Sequence, residues 1–254
     1  MRINLNADLG EGYGPWTMGD DAAMLDIVAS ANIACGGHAG DPDVMRRTLR
    51  LARERGVSIG AHPSYPDLQG FGRRAMALSA AELENQIAAQ VGALSAIAAL
   101  EAARVTHVKP HGALNNLACA DRSVADTICR AVRAIDPALI LLAPAASQLV
   151  AAGRAAGLAV VEEIFADRAY LPDGQLVPRS RPDAMIHGAA ACLAHVLAML
   201  DAGALIATDG TRIATPIGSI CVHGDNPGAV AVARHLREQL AARGHQVLPL
   251  PEIA

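Results

Sequence analysis

Lysine is almost missing from this chain: of 21 basic side chains in 254 residues, 20 are Arg and one is Lys109. Aromatic residues are nearly as scarce, at 2%, so the 52% hydrophobic fraction is built from Ala, Val, Leu and Ile, and so apolar a chain excludes a disordered one. There is no run of Lys or Arg, and the net charge is -4, which removes the electrostatic footprint of a nucleic-acid binder. No apolar export segment opens the N-terminus. The most apolar later tract, residues 188–207, is interrupted by His195 and Asp201, which suits a packed helix better than a membrane span. The expectation is a soluble, cytoplasmic protein with no membrane partner. The five cysteines, Cys35, Cys119, Cys129, Cys192 and Cys221, are odd in number and lack CxxC spacing, so they read as reduced core thiols and not as a disulfide framework or zinc knuckle. Neither GxGxxG nor GxxxxGK[ST] occurs, which excludes the common nucleotide-binding fingerprints.

What is present is a rhythm. Short apolar or alternating runs near residues 3–8, 31–35, 57–61, 105–109, 139–142, 159–164 and 219–223 are each followed by a helical pattern, the signature of βα units and a parallel sheet. Helix punctuation is clear: Asp41-Pro42 and Asn226-Pro227 read as N-caps with proline at the first helical position, Gly56 and Gly244 as stops. Ser79 with Glu82 forms a capping box that opens a long Ala-rich helix. No linker or low-complexity tract divides the chain, so residues 1–254 are expected to form an α/β single domain, a seven-stranded β/α barrel, with an open doubly wound sheet as the alternative. Two excursions, residues 63–74 and 167–182, break the rhythm where function is usually housed.

Strands buried on both faces normally read as continuous apolar runs. Here Asn4, Asn6 and Asp8 alternate with Ile3, Leu5 and Ala7, and the same pattern sets Ser58, Gly60 and His62, then His107, Lys109 and His111, then Ser219, Cys221 and His223 on one face each. If the apolar faces meet the helices, these polar faces line the lumen and end in ionisable residues at the C-terminal mouth, where barrel enzymes work. Lys109 stands out, because a chain that uses Arg everywhere else has kept the compact, titratable ammonium there. The glycine-rich approaches Gly36–Gly40 and His223-Gly224-Asp225 precede helix starts and are candidate anion cradles. Asp8 and Glu11 make an acidic pair. Asp167, Arg168, Tyr170 and Arg179 decorate the second excursion, where the arginines are candidates for gripping a carboxylate.

The segments Leu5-Asn-Ala-Asp-Leu-Gly-Glu11, Ala31-Asn-Ile-Ala-Cys-Gly-Gly-His-Ala-Gly-Asp41, Ile59-Gly-Ala-His-Pro63, Asp67-Leu-Gln-Gly-Phe-Gly-Arg-Arg74, Val108-Lys-Pro-His-Gly-Ala-Leu114 and Val222-His-Gly-Asp225 together resemble the LamB/YcsF family, from residue 1 to about residue 250. The resemblance implies a barrel similar to the glycoside hydrolase/deacetylase fold. It also implies the A subunit of an ATP-dependent 5-oxoprolinase, which opens 5-oxoproline to L-glutamate with subunits B and C, ATP serving as co-substrate with Mg²⁺. One departure is Gly37, where a bulkier residue is expected; glycine there would widen the pocket.

On that reading Asp8, Glu11, His38, His62, Lys109 and His111 are the catalytic candidates. Lys109, with glycine-loop amides, would stabilise charge on a phosphoryl or lactam oxygen. His62 or His111 would act as base toward water, and Asp8 and Glu11 would orient a histidine or hold Mg²⁺. Asp167, Arg168, Tyr170, Arg179, His223 and Asp225 would bind substrate. Two rivals remain at this stage: a metal-dependent amide hydrolase using Asp8, His38 and His62, and a non-catalytic subunit that only presents ligand.

Overall fold

The computed structural model describes residues 1–224 and 228–254. Six strands, β1 (Arg2–Leu9), β2 (Ser30–Ala34), β3 (Ser58–His62), β4 (Val105–Val108), β5 (Ile140–Pro144) and β6 (Val160–Phe165), lie side by side in chain order, all parallel. A short antiparallel hairpin of β7 (Ala204–Ile206) and β8 (Arg212–Ala214) follows, and β9 (Ser219–His223) then pairs with both β6 and β1, closing a seven-stranded parallel barrel. The seven expected runs fall on these seven strands with ends within two residues.

The helices α1 (Asp21–Leu25), α2 (Pro42–Glu54), α3 (Ala80–Leu100), α4 (Gly112–Ala120), α5 (Arg122–Ile135), α6 (Gln148–Ala155), α7 (Ala189–Ala202) and α8 (Ala229–Ala242) surround the barrel. Their boundaries follow local chemistry. The Asp41 carboxylate accepts from the amides of Asp43 (2.9 Å) and Val44 (3.1 Å), Pro42 starts α2, and Gly56, with φ of 67°, ends it. α2 buries Val44, Met45, Thr48, Leu49 and Ala52, one stripe at helical spacing. The Ser79–Glu82 capping box is formed. The Asn226-Pro227 start lies outside the described residues; α8 is preceded by Gly228.

Period-two alternation divides each strand between two environments. Ile3, Leu5, Ala7, Ile59, Ala61, Ile220 and Val222 join the apolar layer beneath the helices. The other face points into the lumen and stacks in levels, as inward side chains of parallel barrels do. At the bottom Asn4 donates to Ser30 Oγ (2.7 Å) and accepts from Ser219 Oγ (2.7 Å). The middle level links Asn6, Asn32, Glu163 and His107: Asn32 donates to Asn6 Oδ1 at 2.8 Å, and His107 Nε2 lies 3.0 Å from Asn32 Oδ1. Gly60 is a glycine because the His107 ring fills the space its Cβ would need.

Two features were not expected. The β7–β8 hairpin begins inside the apolar tract read as helix, where α7 stops at Gly203 in the left-handed conformation. Beyond α8, β10 (Gln246–Val247) pairs with the start of β1, and a 3₁₀ turn, Leu250–Glu252, stoppers the N-terminal end of the barrel, with Leu250 N–H donating to Ser30 Oγ at 3.0 Å. All five cysteines are buried and free. Among the described residues no helix is long and apolar enough to cross a membrane.

Candidate active site at the C-terminal mouth

The top level of the lumen carries Asp8, His62, Lys109, Phe165 and His223. Lys109 is 2% exposed, yet its ammonium is fully partnered: Asp8 Oδ1 at 3.0 Å, Glu163 Oε2 at 3.3 Å, Asn6 Oδ1 at 3.4 Å and Cys221 Sγ at 3.0 Å. Burial works to discharge such an amine, but Asp8, Cys221 and Glu163 overcome it and hold its pKa well above the usual lysine range. Burial likewise works to raise the Asp8 carboxyl, and the pull of His62 and Lys109 holds it well below the usual range instead. Glu163 goes the other way: burial raises it, Asp8 adds to the rise, and Lys109 does not compensate. The closest ion pair at the centre is Lys109–Asp8 at 3.0 Å, with Glu163, the carboxyl that burial raises, at 3.3 Å.

A second group sits beside this pair. His62 Nε2 is 3.3 Å from Asp8 Oδ2, and its Nδ1 lies 2.6 Å from the Lys109 carbonyl. His111, at the N-terminus of α4, sets Nδ1 3.1 Å from His62 Nε2 and Nε2 2.9 Å from the Phe71 carbonyl. Glu11 Oε1 lies 3.0 Å from His38 Nε2 and 3.7 Å from His111 Nδ1, and the rings of His38 and His111 stack at 3.7 Å. Burial, with neighbouring histidines, pushes both His38 and His111 well below the usual imidazole range. One ligand atom from each of Glu11, His38, His62 and His111 lies within 4.8 Å of the others, and Asp8, Cys221 and His223 form a second such group, so His38 and His62 fall in one set and Asp8 in the other.

These residues open on a cavity of about 460 Å³, whose lining includes Asp8, His62, Arg73, Lys109, His111, Arg168, Arg179 and His223. His223 Nδ1 is 2.8 Å from Asp167 Oδ1. Burial disfavours the charged imidazole, but Asp167 outweighs it and raises His223, while burial acting on Asp167 is outweighed by His223, which lowers it. Arg168 is pushed down to about 10 by burial and by Arg179; one of its terminal nitrogens donates to the Val177 carbonyl at 2.7 Å. Arg179 is exposed and reaches the cavity from the rim. Tyr170 is buried, with its hydroxyl accepting from the Phe165 amide at 2.8 Å, so it braces the wall.

The mouth thus gathers Asp8, Glu11, His38, His62, Lys109, His111, Asp167, Arg168, Arg179 and His223; Asp225 lies outside the described residues. In the Gly36–Gly40 approach the outer two amides are committed, Gly36 N–H to Ala39 O and Gly40 N–H to Gly12 O, and the first α2 amides are capped by Asp41. Gly37 does not widen the pocket: a Cβ there would collide with Gln90 Oε1 and Ser64 Oγ, and the Gln90 amide fills the space by bonding Ser64 N–H (2.9 Å) and Ser64 O (2.8 Å). Glu163 was not anticipated, nor were Asn32 and Phe165. Neighbours on a strand face opposite ways, so of the Glu162-Glu163 pair Glu162 pairs outward with Arg154 and Glu163 inward with Lys109.

Comparison with known proteins agrees with this architecture. A protein of Azoarcus sp. (strain BH72), named as the A subunit of 5-oxoprolinase, is 59% identical over 253 residues, spanning 100% of this chain and 99% of that protein. A Thermus thermophilus structure described as a lactam utilization protein superposes with a TM-score of 0.92 at 44% identity, covering 98% of this chain and 100% of that one. The catalytic domain of a peptidoglycan N-acetylglucosamine deacetylase from Eubacterium rectale shares the fold alone, with a TM-score of 0.52 at 12% identity over 98% of this chain and 87% of that one. The LamB/YcsF family matches residues 3–254, and the chain belongs to that family.

Proposed function

We propose that this chain is a catalytic subunit of an ATP-dependent 5-oxoprolinase, working in the cytoplasm with subunits B and C. The names of its relatives support the substrate class, and the mouth supports the chemistry. A lactam is a resonance-stabilised amide. Moving the ATP γ-phosphoryl group to its oxygen, with ADP leaving, makes the ring carbon electrophilic; one water adds to that carbon, the ring C–N bond breaks as the nitrogen takes a proton, and a second water cleaves the resulting acyl phosphate to the glutamate carboxylate and free phosphate.

The single observation that carries this reading is the Lys109 ammonium, kept charged by Asp8 in a nearly water-free wall of the cavity. A fixed cation in such a place stabilises negative charge developing on the lactam or phosphoryl oxygen far better than one in water. His223, its proton secured by Asp167, is the donor for the departing ring nitrogen. Arg168 and Arg179, which line the same cavity, grip the substrate carboxylate. Water is activated at the His62–His111 edge, where two ring nitrogens meet beside the cavity.

The test is 5-oxoproline-dependent ADP release, measured with the chain alone and then with both partner subunits added. Lys109→Arg retains charge but replaces a point donor with a larger planar fork, and turnover in the full complex is expected to fall at least about 100-fold, the scale of losing one oxyanion donor. Near-normal turnover of the Lys109→Arg complex would remove the carrying observation.

A further inference from the structure

The protons of His62 and His111 are fixed by what surrounds them. A carbonyl oxygen can only accept, so His62 carries hydrogen on Nδ1 toward Lys109 O (2.6 Å) and His111 carries it on Nε2 toward Phe71 O (2.9 Å). In the neutral rings the remaining nitrogens, His62 Nε2 and His111 Nδ1, are both bare lone pairs, and they face each other at 3.1 Å. Two acceptors at that distance repel unless something positive lies between them. Further acceptors adjoin the same point: Glu11 Oε1 at 3.7 Å from His111 Nδ1 and Asp8 Oδ2 at 3.3 Å from His62 Nε2.

From this convergence we infer that His62 Nε2, His111 Nδ1 and the Glu11 carboxylate form a binding site for one divalent transition-metal ion of the Zn²⁺ class, open toward the cavity. Two imidazoles and a carboxylate are a donor set suited to borderline cations and leave a coordination position free. The surroundings match as well. A metal-binding histidine usually donates its other N–H to a carbonyl or carboxylate, and both rings do so here; a ligating carboxylate is usually hydrogen-bonded in turn, and Glu11 receives His38 Nε2 at 3.0 Å. His38 stacks flat on His111 and is the positioning residue for Glu11, since parallel rings 3.7 Å apart cannot both aim a lone pair at one ion. A shared proton would join the two rings but leave both carboxylates as acceptors, whereas an ion satisfies rings and carboxylate together.

The site deepens the lactam-opening reading, because it lies where water is activated, yet it is readable without substrate. The full-length chain is stripped with a chelator, dialysed, and titrated with Zn²⁺ alone and Co²⁺ alone. One equivalent of ion per chain is expected by elemental analysis, together with a visible Co²⁺ absorption band and a rise in thermal midpoint. Glu11→Gln and His111→Gln, checked for native circular dichroism, are expected to weaken Co²⁺ binding more than about 100-fold, beyond the roughly 10–100-fold typical of a lost supporting contact. His38→Gln, which retains a donor to Glu11, is expected to bind the ion within about tenfold of the parent, at the mild end of that range. Absence of retained ion in the unsubstituted chain overturns the site. So does ion binding unaffected by Glu11→Gln and His111→Gln, which would place the ion elsewhere, or ¹⁵N spectra in which one of the two rings carries both protons and ignores Zn²⁺. Intact metal binding without 5-oxoproline turnover would count against the lactam reading alone.

Discussion

Lys109 shows how one residue obtains its properties from its neighbours. An ammonium taken from water costs several kcal/mol unless its partners are well placed, and here Asp8 supplies the charge while Asn6, Glu163 and Cys221 supply contacts. The two carboxyls around it are chemically alike but not equivalent: the pull of His62 and Lys109 holds Asp8 down, while burial holds Glu163 up. Substitution separates them. Glu163→Gln puts an amide of the same shape where burial favours the neutral carboxyl and is expected to cost less than about 1.5 kcal/mol in denaturant unfolding, the worth of one neutral hydrogen bond. Asp8→Asn removes the counter-charge of a buried ammonium and is expected to cost about 3–5 kcal/mol. Equal costs for the two would show that Glu163, too, is charged.

At the scale of elements, the strands and caps do the placing. The approach to α2 carries His38, and its geometry is held by Asp41, whose carboxylate caps Asp43 and Val44 and also accepts from the Gly14 amide at 2.6 Å. Asp41→Ala is expected to lower stability by about 1–2 kcal/mol, at the upper end for a helix cap because a second loop loses its anchor; a thermal or denaturant melt reads it. The barrel strands were legible in the sequence because alternation in β1, β3, β4 and β9 is a local pattern, and the polar face could point only inward once the helices covered the other. Lys109 was legible through its rarity and through its place in the alternation of His107, Lys109 and His111. Glu163 was not, because Glu162 beside it broke the alternation, and the partner that explains each glutamate lies far along the chain. The β7–β8 hairpin was hidden by three strand residues, Ala204–Ile206, as apolar as the helix before them. Gln90 was missed because a buried amide midway along α3 has no local signature; its reason is the bare backbone of Ser64.

For the whole molecule, β9 closes the barrel against β1 and β6 and carries His223 to the mouth, where it meets Asp167 at the head of the second excursion. That contact ties barrel closure to pH. His223 is raised by Asp167 against the effect of burial, so its contribution to stability is complete below the ordinary imidazole value and is lost as pH climbs through the raised one. Asp167 is lowered by His223, so its contribution is present above the ordinary carboxylate value and is lost as pH falls through the lowered one. Asp8 and Lys109 face His223 with opposite influence, and Arg168 and Arg179 face Asp167, so the pair belongs to a larger field. With ordinary values of about 4 for the carboxyl and about 6.5 for the imidazole, the pair is strongest between those two limits. The thermal midpoint of the unsubstituted chain minus that of Asp167→Asn, followed from acid to alkaline pH, is expected to be greatest in that window and to shrink on both sides. The buried neutral histidines His38, His107 and His111 titrate in both proteins and drop out of the difference. A difference that stays constant across the range would mean that Asp167 stabilises the mouth by shape and not by charge.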